Sequence, residues 1–358
     1  MIETIRYLDD EGNLADCPVN IPPEVLVRGY KVMRLTRYID ERMITLQRQG
    51  VITFALSSLG EECCAVASAA ALDLEDWAYP QYREAGLIFW RGFTPEEYIH
   101  HMFANAKDHQ LGRQMPNHFG CRRLNVVTVS SPIGTKIPHA AGCAYAMKLQ
   151  KEPHVAICYF GEGASSEGDF HAGLNFASVR KAPAIFFCRN NGYAISTPVC
   201  KQFASDGVAV KGIAYGMTSY RVDGNDFFAV YATVLAAKQH CLAGKGPVLI
   251  EAMTYRLGAH STADDPSVYR KQQEVETFIK RDPVARLRIY LLKQGFWDEQ
   301  QEQALEREIT AETEKAIEIA KATPRPPLHS LIEHVYFEPP QSLKEQFQEV
   351  LSFFPEEG

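Results

Sequence analysis

No dense block of lysine and arginine occurs in the 358 residues, and 37 basic against 44 acidic side chains leave 37 − 44 = −7. Nucleic acids and anionic membrane surfaces select basic faces, so neither is an expected partner. No apolar stretch approaches the roughly 20 residues that span a bilayer. C-x-x-C is missing, and the nine cysteines are scattered, with Cys63 beside Cys64. That excludes a disulfide framework and a structural zinc site; reduced thiols and a cytoplasmic location are expected. The opening "MIETIRYLDDEGNLADCP" carries acids early and no apolar core, unlike a secretory signal, and is too acidic for an organelle transit peptide. Repeats and low-complexity tracts are absent too. The remainder is ordinary, 46% hydrophobic and 23% charged, which supplies a buried core for two domains or one large α/β domain.

Residues 1–23 form an arm ending in "IPPE". From Glu24, Leu26, Tyr30, Met33 and Arg37 recur at helical spacing, with Gly50 as the stop. "EECCAVASAAALDL" (61–74) is small and apolar, as in a closely packed helix. Thr94 and Pro95 read as N-cap and first helical residue of "TPEEYIHHMFANA". Residues 109–138 are rich in Gly, Pro and basic side chains without periodicity, the signature of a working loop. "HVAICYF" (154–160), "AIFFCR" (184–189) and "VLIEAMTY" (248–255) are buried-strand patterns, with a helix from about 169 to 180 between the first two. Strands alternating with helices predict an α/β fold, a parallel sheet with helices on both faces and helical extensions at both ends. Ligands in such sheets sit beyond the carboxyl ends of the strands. The polar loops "GEGASSEGD", "NNGY" and "RLGAHSTADDP" all follow strand ends. Residues 283–322 read as a charged, solvated helix, so one domain spans 24–322 and a Pro-rich tail, 323–358, is expected to lie along a surface or partner.

The glycine loop fails two phosphate motifs. In a dinucleotide fingerprint the third glycine would come sooner than Gly168 does after Gly161 and Gly163. In a P-loop a lysine would stand where Asp169 is. A third reading pairs the loop with the end of the next strand. Residues 164–189, 26 in all, separate Gly163 from Asn190, room for one helix and one strand. Glu162 and Asn191 would then sit side by side as hard oxygen ligands, a sparse set that suits Mg²⁺ when substrate phosphates complete its octahedron. Ser166 and Asp169 also match a helix-capping pattern.

Gly-Glu-Gly, this gap and Asn-Asn resemble the thiamine-diphosphate motif, normally Gly-Asp-Gly followed by a similar gap. With "YPQYREAG", "GRQMPNHFG", "SSPIGTKIPHAAGCAYAMKLQ" and "RLGAHSTADDPSVYR", the chain from about 20 to 330 is similar to α subunits of the decarboxylating component of branched-chain 2-oxo acid dehydrogenases, in which Glu replaces the usual Asp. The resemblance implies a thiamine-diphosphate-binding fold and Mg²⁺ (or Mn²⁺) held by Glu162, the Asn191 side chain and the Tyr193 carbonyl. Gln81, Tyr82 and Arg83 would meet the diphosphate and thiazolium region. Arg189 would add a second charge, and Gly161, Gly163 and Ala164 would allow close approach to the phosphates. Ser131 and Ile133 would flank the pyrimidine. His260 would be the catalytic group, facing the substrate carboxylate and diphosphate as proton donor or anchor.

A 2-oxo acid can lose CO₂ only if an electron sink is present; no side chain is one, and a thiazolium is. The family's activating Glu has no place in this chain. The resemblance therefore implies a β subunit in an α₂β₂ heterotetramer and transfer of the acyl group to the lipoyl domain of a dihydrolipoyl acyltransferase. Two departures stand out. Ala259 removes one of the family's paired histidines, and Lys136 stands where relatives hold a monovalent cation, whose place its ammonium would take. Ser261 matches a serine phosphorylated in mitochondrial relatives, a regulation not expected here. A pyruvate or acetoin dehydrogenase α subunit and a non-catalytic scaffold are the alternatives.

Overall fold

The computed structural model describes residues 2–354. Six strands form one all-parallel sheet: β1 (Thr4–Ile5), β2 (Trp77–Tyr79), β3 (Ala156–Gly161), β4 (Ala184–Asn190), β7 (Thr218–Asp223) and β8 (Val248–Met253). Their order is β1-β7-β8-β4-β3-β2. A hairpin, β5 (Tyr193–Ala194) with β6 (Thr197–Pro198), follows β4.

Alternation along the central strands explains the layers. Ala156, Cys158 and Phe160 of β3 and Ala184, Phe186 and Cys188 of β4 turn to one side, where they join a core with α5 (Lys136–Gln150) and α6 (Gly168–Arg180). Ile157, Tyr159, Ile185 and Phe187 turn to the other, packing with α1 (Pro23–Arg48), α2 (Glu62–Ala70) and α7 (Phe227–Leu242). A sheet covered on both faces needs apolar residues at every position, which is why these strands read as continuous apolar runs.

The helix expected from Glu24 runs from Pro23, and Leu26, Tyr30 and Met33 are buried on it. α3 (Ala85–Trp90) precedes α4 (Pro95–Phe103), whose capping box is complete: the Glu97 amide donates to Thr94 Oγ1 at 3.1 Å and the Thr94 amide donates to Glu97 Oε2 at 2.8 Å. Residues 109–135 hold no long element, only turns, a short 3₁₀ helix, Arg122–Leu124, and a β-bridge between Cys121 and Val126 that flanks it.

The amino-terminal arm is tied down: β1 adds an edge strand to β7, and the Tyr7 and Leu8 amides donate to Asp226 Oδ2 at 2.6 and 2.7 Å. Asp226 also caps α7, so one carboxylate joins the arm to the start of that helix. Two expectations are corrected. The charged carboxyl-terminal stretch is not one solvated helix. α8 (Gln272–Ile279) and α9 (Pro283–Lys293) precede α10 (Glu299–Ala322), and α10 buries Leu305, Ile309, Ala316, Ile317 and Ala320. Finally, the cap drawn from Ser166 and Asp169 does not form. Glu162–Ser166 make a 3₁₀ turn, and α6 starts after Glu167 without a side-chain cap bond. The tail carries α11 (Gln341–Phe353); Leu331, Val335, Tyr336 and Phe337 are exposed, and its last four residues, 355–358, lie outside the described residues. Among the described residues no helix is long and apolar enough to cross a membrane.

Candidate active site

β3 and β4 are parallel neighbours with Gly161 opposite Arg189. The next residues of each chain, Glu162 and Asn190–Asn191, therefore leave the same edge of the sheet. Gln81–Arg83 follow β2 on that edge, and Arg256 and His260 follow β8. Together they surround a cavity of about 160 Å³. Of the residues expected from the sequence, Gln81, Tyr82, Arg83, Ile133, Gly161, Glu162, Gly163, Ala164, Arg189, Asn191, Tyr193 and His260 line it. Ser131 does not. Its hydroxyl is 2.7 Å from His118 Nε2, while His118 Nδ1 lies 3.0 Å from the Pro116 carbonyl. A carbonyl only accepts, so Nδ1 carries the proton and Ser131 donates to Nε2.

Glu162 is buried, yet its carboxyl has only two long bonds: the Asn191 amide donates to Oε2 and Gln202 Nε2 to Oε1, each at 3.4 Å. Burial raises its pKa above the usual carboxylate range. An under-bonded buried carboxylate fits a cation. The companion groups are oxygens as well: Asn191 Oδ1, which accepts only the Tyr193 amide at 3.1 Å, and the backbone of Tyr193. Among the described residues no three His, Cys, Asp or Glu gather around a possible metal, and the groups collected at Glu162 are oxygens, the donors that hard cations take.

Cations line the opposite wall. Arg83 Nη2 donates to the His260 carbonyl at 2.5 Å and lies 3.1 Å from His260 Nδ1. A guanidinium only donates, so His260 Nδ1 accepts and the ring proton is on Nε2. Burial, then the nearby Arg83 and Arg256 charges, lower the His260 pKa to about 4. His260 is thus neutral near pH 7 and offers an N–H. Arg189, expected from the sequence to add a second charge, is already paired within the protein. Its Nε donates to Glu84 at 2.9 Å, its Nη1 to Glu61 at 2.8 Å and its Nη2 to Gln81 Oε1 at 3.3 Å. A fully buried guanidinium has to be paired, and two carboxylates pair it here.

Sequence reasoning missed Arg256, Glu61 and Gln202. Arg256 Nη2 donates to the Ile195 carbonyl and to Tyr269 Oη, each at 2.8 Å, and its Nε is buried without a partner, a spare charged donor beside the cavity. Ile195 is β-branched with φ of 56°, a left-handed conformation such residues rarely adopt, and the Arg256 bond helps hold it. Arg256 stands in the quoted "RLGAHS" run; its type was the available signal. Lys136 begins α5 half-buried, and burial lowers its pKa. Behind the Asn191–Tyr193 loop lies a larger cavity of about 560 Å³. Glu274 on α8 accepts from Tyr193 Oη at 3.0 Å and from Tyr255 Oη at 2.9 Å beside it.

A model of the dehydrogenase E1 component family matches residues 30–329. Over 349 residues the chain is 48% identical to the 2-oxoisovalerate dehydrogenase subunit alpha, mitochondrial, of Macaca fascicularis, covering 96% of this chain and 78% of that one. The human protein of the same name is 47% identical over the same shares. The Arabidopsis thaliana alpha 2 subunit is 46% identical, covering 95% of this chain and 73% of its own. With 300 matched residues (30 to 329) out of 358, the chain belongs to the dehydrogenase E1 component family.

Proposed function

We propose that this chain is the α subunit of a thiamine-diphosphate-dependent branched-chain 2-oxo acid dehydrogenase. Its reaction is oxidative decarboxylation of a branched-chain 2-oxo acid, the acyl group passing to the lipoyl group of an acyltransferase component. The observation that carries the reading is the single cavity uniting Glu162, Asn191, Arg83 and His260 from four strand ends, in a chain whose relatives are named for 2-oxoisovalerate. Those names favour branched-chain substrates over pyruvate or acetoin. An under-bonded buried carboxylate beside a spare cationic donor, Arg256 Nε, argues against a decayed scaffold.

Thiamine diphosphate, when bound, supplies the electron sink. Glu162, Asn191 Oδ1 and the Tyr193 carbonyl would hold Mg²⁺ or Mn²⁺. Arg83 and the spare N–H of Arg256 would supply charged donors for phosphate oxygens. His260 would offer Nε2–H to the substrate carboxylate, a hydrogen bond available without protonating the ring. Gly163 keeps the loop close to its neighbour, since a Cβ there would stand 2.8 Å from that of Ala194.

The family implies a β partner. The α₂β₂ stoichiometry, the lipoyl-domain contact and docking of the exposed Val335–Phe337 stretch on a partner belong to the proposal. The nine free thiols suit a reducing compartment, cytoplasm and mitochondrial matrix alike. The test is co-expression with the β partner and turnover of 2-oxoisovalerate, 2-oxoisocaproate and pyruvate with a lipoyl acceptor. The branched acids are expected to lead; pyruvate as best substrate would overturn the assignment.

A further inference from the structure

Glu61 is a buried carboxylate that no motif singled out. It stands at the N-cap position of α2, 1% exposed, yet makes no cap bond with its side chain. Its oxygens point instead into the site. Oε1 accepts from Arg189 Nη1 at 2.8 Å and from Asn191 Nδ2 at 3.0 Å, while Oε2 is buried without a hydrogen bond, 3.8 Å from Arg83 Nε.

The contact with Asn191 has a chemical consequence. The two ends of an amide are nearly the same shape, and only hydrogen bonds decide which end faces where. With Nδ2 donating to Glu61, Oδ1 is the end left toward the loop, where it accepts one bond from the Tyr193 amide. A carbonyl oxygen has two lone pairs, so one remains for a cation.

We infer that Glu61 is a positioning residue: it fixes the Asn191 amide with its oxygen available to a divalent cation shared with Glu162. This rests on the metal-site reading above. Outer-shell partners that orient a ligand act in this way, and their loss typically weakens metal binding about 10–100-fold. Geometry, not charge, is the requirement. A glutamine at this position keeps an acceptor oxygen at the same reach, whereas an aspartate keeps the charge and falls short by one methylene.

The test uses the co-expressed heterotetramer with saturating thiamine diphosphate, reading Mn²⁺ affinity directly by electron paramagnetic resonance. Glu61→Asp is expected to weaken Mn²⁺ by at least about tenfold, and Glu61→Gln by no more than about threefold. The reverse order would mean that charge matters and would overturn the inference, as would wild-type affinity in both variants. Glu162→Ala runs beside them. If it leaves Mn²⁺ affinity unchanged, the metal site itself is misassigned; if it removes Mn²⁺ while both Glu61 variants bind normally, only the role of Glu61 fails. Should Glu61→Asp not assemble, Glu61→Ala, which removes the acceptor, takes its place: it is expected to weaken Mn²⁺ by at least about tenfold, and wild-type affinity there would overturn the inference.

Discussion

Glu162, just after β3, and Arg189, at the end of the neighbouring β4, are both buried, yet their surroundings are opposite. Glu162 has two hydrogen bonds of 3.4 Å and a raised pKa. Arg189 is clasped by Glu61 and Glu84 and also donates to Gln81. The first group is left short of partners, which disfavours its charge and suits the proposed cation. The second is saturated from within and serves as framework. On that reading the site separates the groups proposed to meet the ligand from those that hold them in place.

The largest expected effect is on the under-bonded side. Glu162→Ala should weaken metal-dependent thiamine diphosphate binding by more than the roughly 10–100-fold typical of an outer-shell partner, with the fold intact. Calorimetric titration checks it, and unchanged binding would erase the contrast. On the saturated side the loss should be in stability. Arg189→Ala strands Glu61 and Glu84 as buried charges and should cost about 3–5 kcal/mol in denaturant unfolding of the assembled protein. A cost near that of an ordinary surface change would show that Arg189 is not framework.

The depressed pKa of His260, about 4 against an ordinary 6.5, sharpens the comparison through pH. Between those values the unfolded chain binds the proton that the folded protein refuses. Stability from this residue is therefore complete above pH 6.5 and lost as pH falls toward 4. Unfolding midpoints measured across that range should slope less in His260→Gln than in the native protein; equal slopes would contradict the neutral ring. The smallest effect is expected at Ser166, which is exposed and caps nothing. Ser166→Ala should leave stability within about 0.5 kcal/mol.

These contrasts also show what was legible beforehand. Glu162 and Asn191 could be read because each closes a strand pattern and the intervening 26 residues leave room for little else. The three central strands stood out because a sheet covered on both faces makes them apolar throughout. β2 and β7 did not. The first is three residues long, and the second is half-exposed, Thr218–Arg221, with no continuous apolar run. The cap at Ser166 failed because the backbone made a 3₁₀ turn first, which shifted the start of α6 past the residue that matched. Glu61 and Arg189 lie 128 positions apart, and no local pattern encodes their meeting. Residues proposed to touch the ligand sit in recognisable loops; residues that hold those loops are found only once the chain is folded.

The most direct test of the central claim, that the diphosphate is held through a metal at Glu162, is calorimetric titration of thiamine diphosphate into the heterotetramer with Mg²⁺ and again in chelator. The account predicts tight binding that collapses on chelation, and a Glu162→Gln protein that is weak and indifferent to Mg²⁺. Equal affinity in Mg²⁺ and chelator would contradict it.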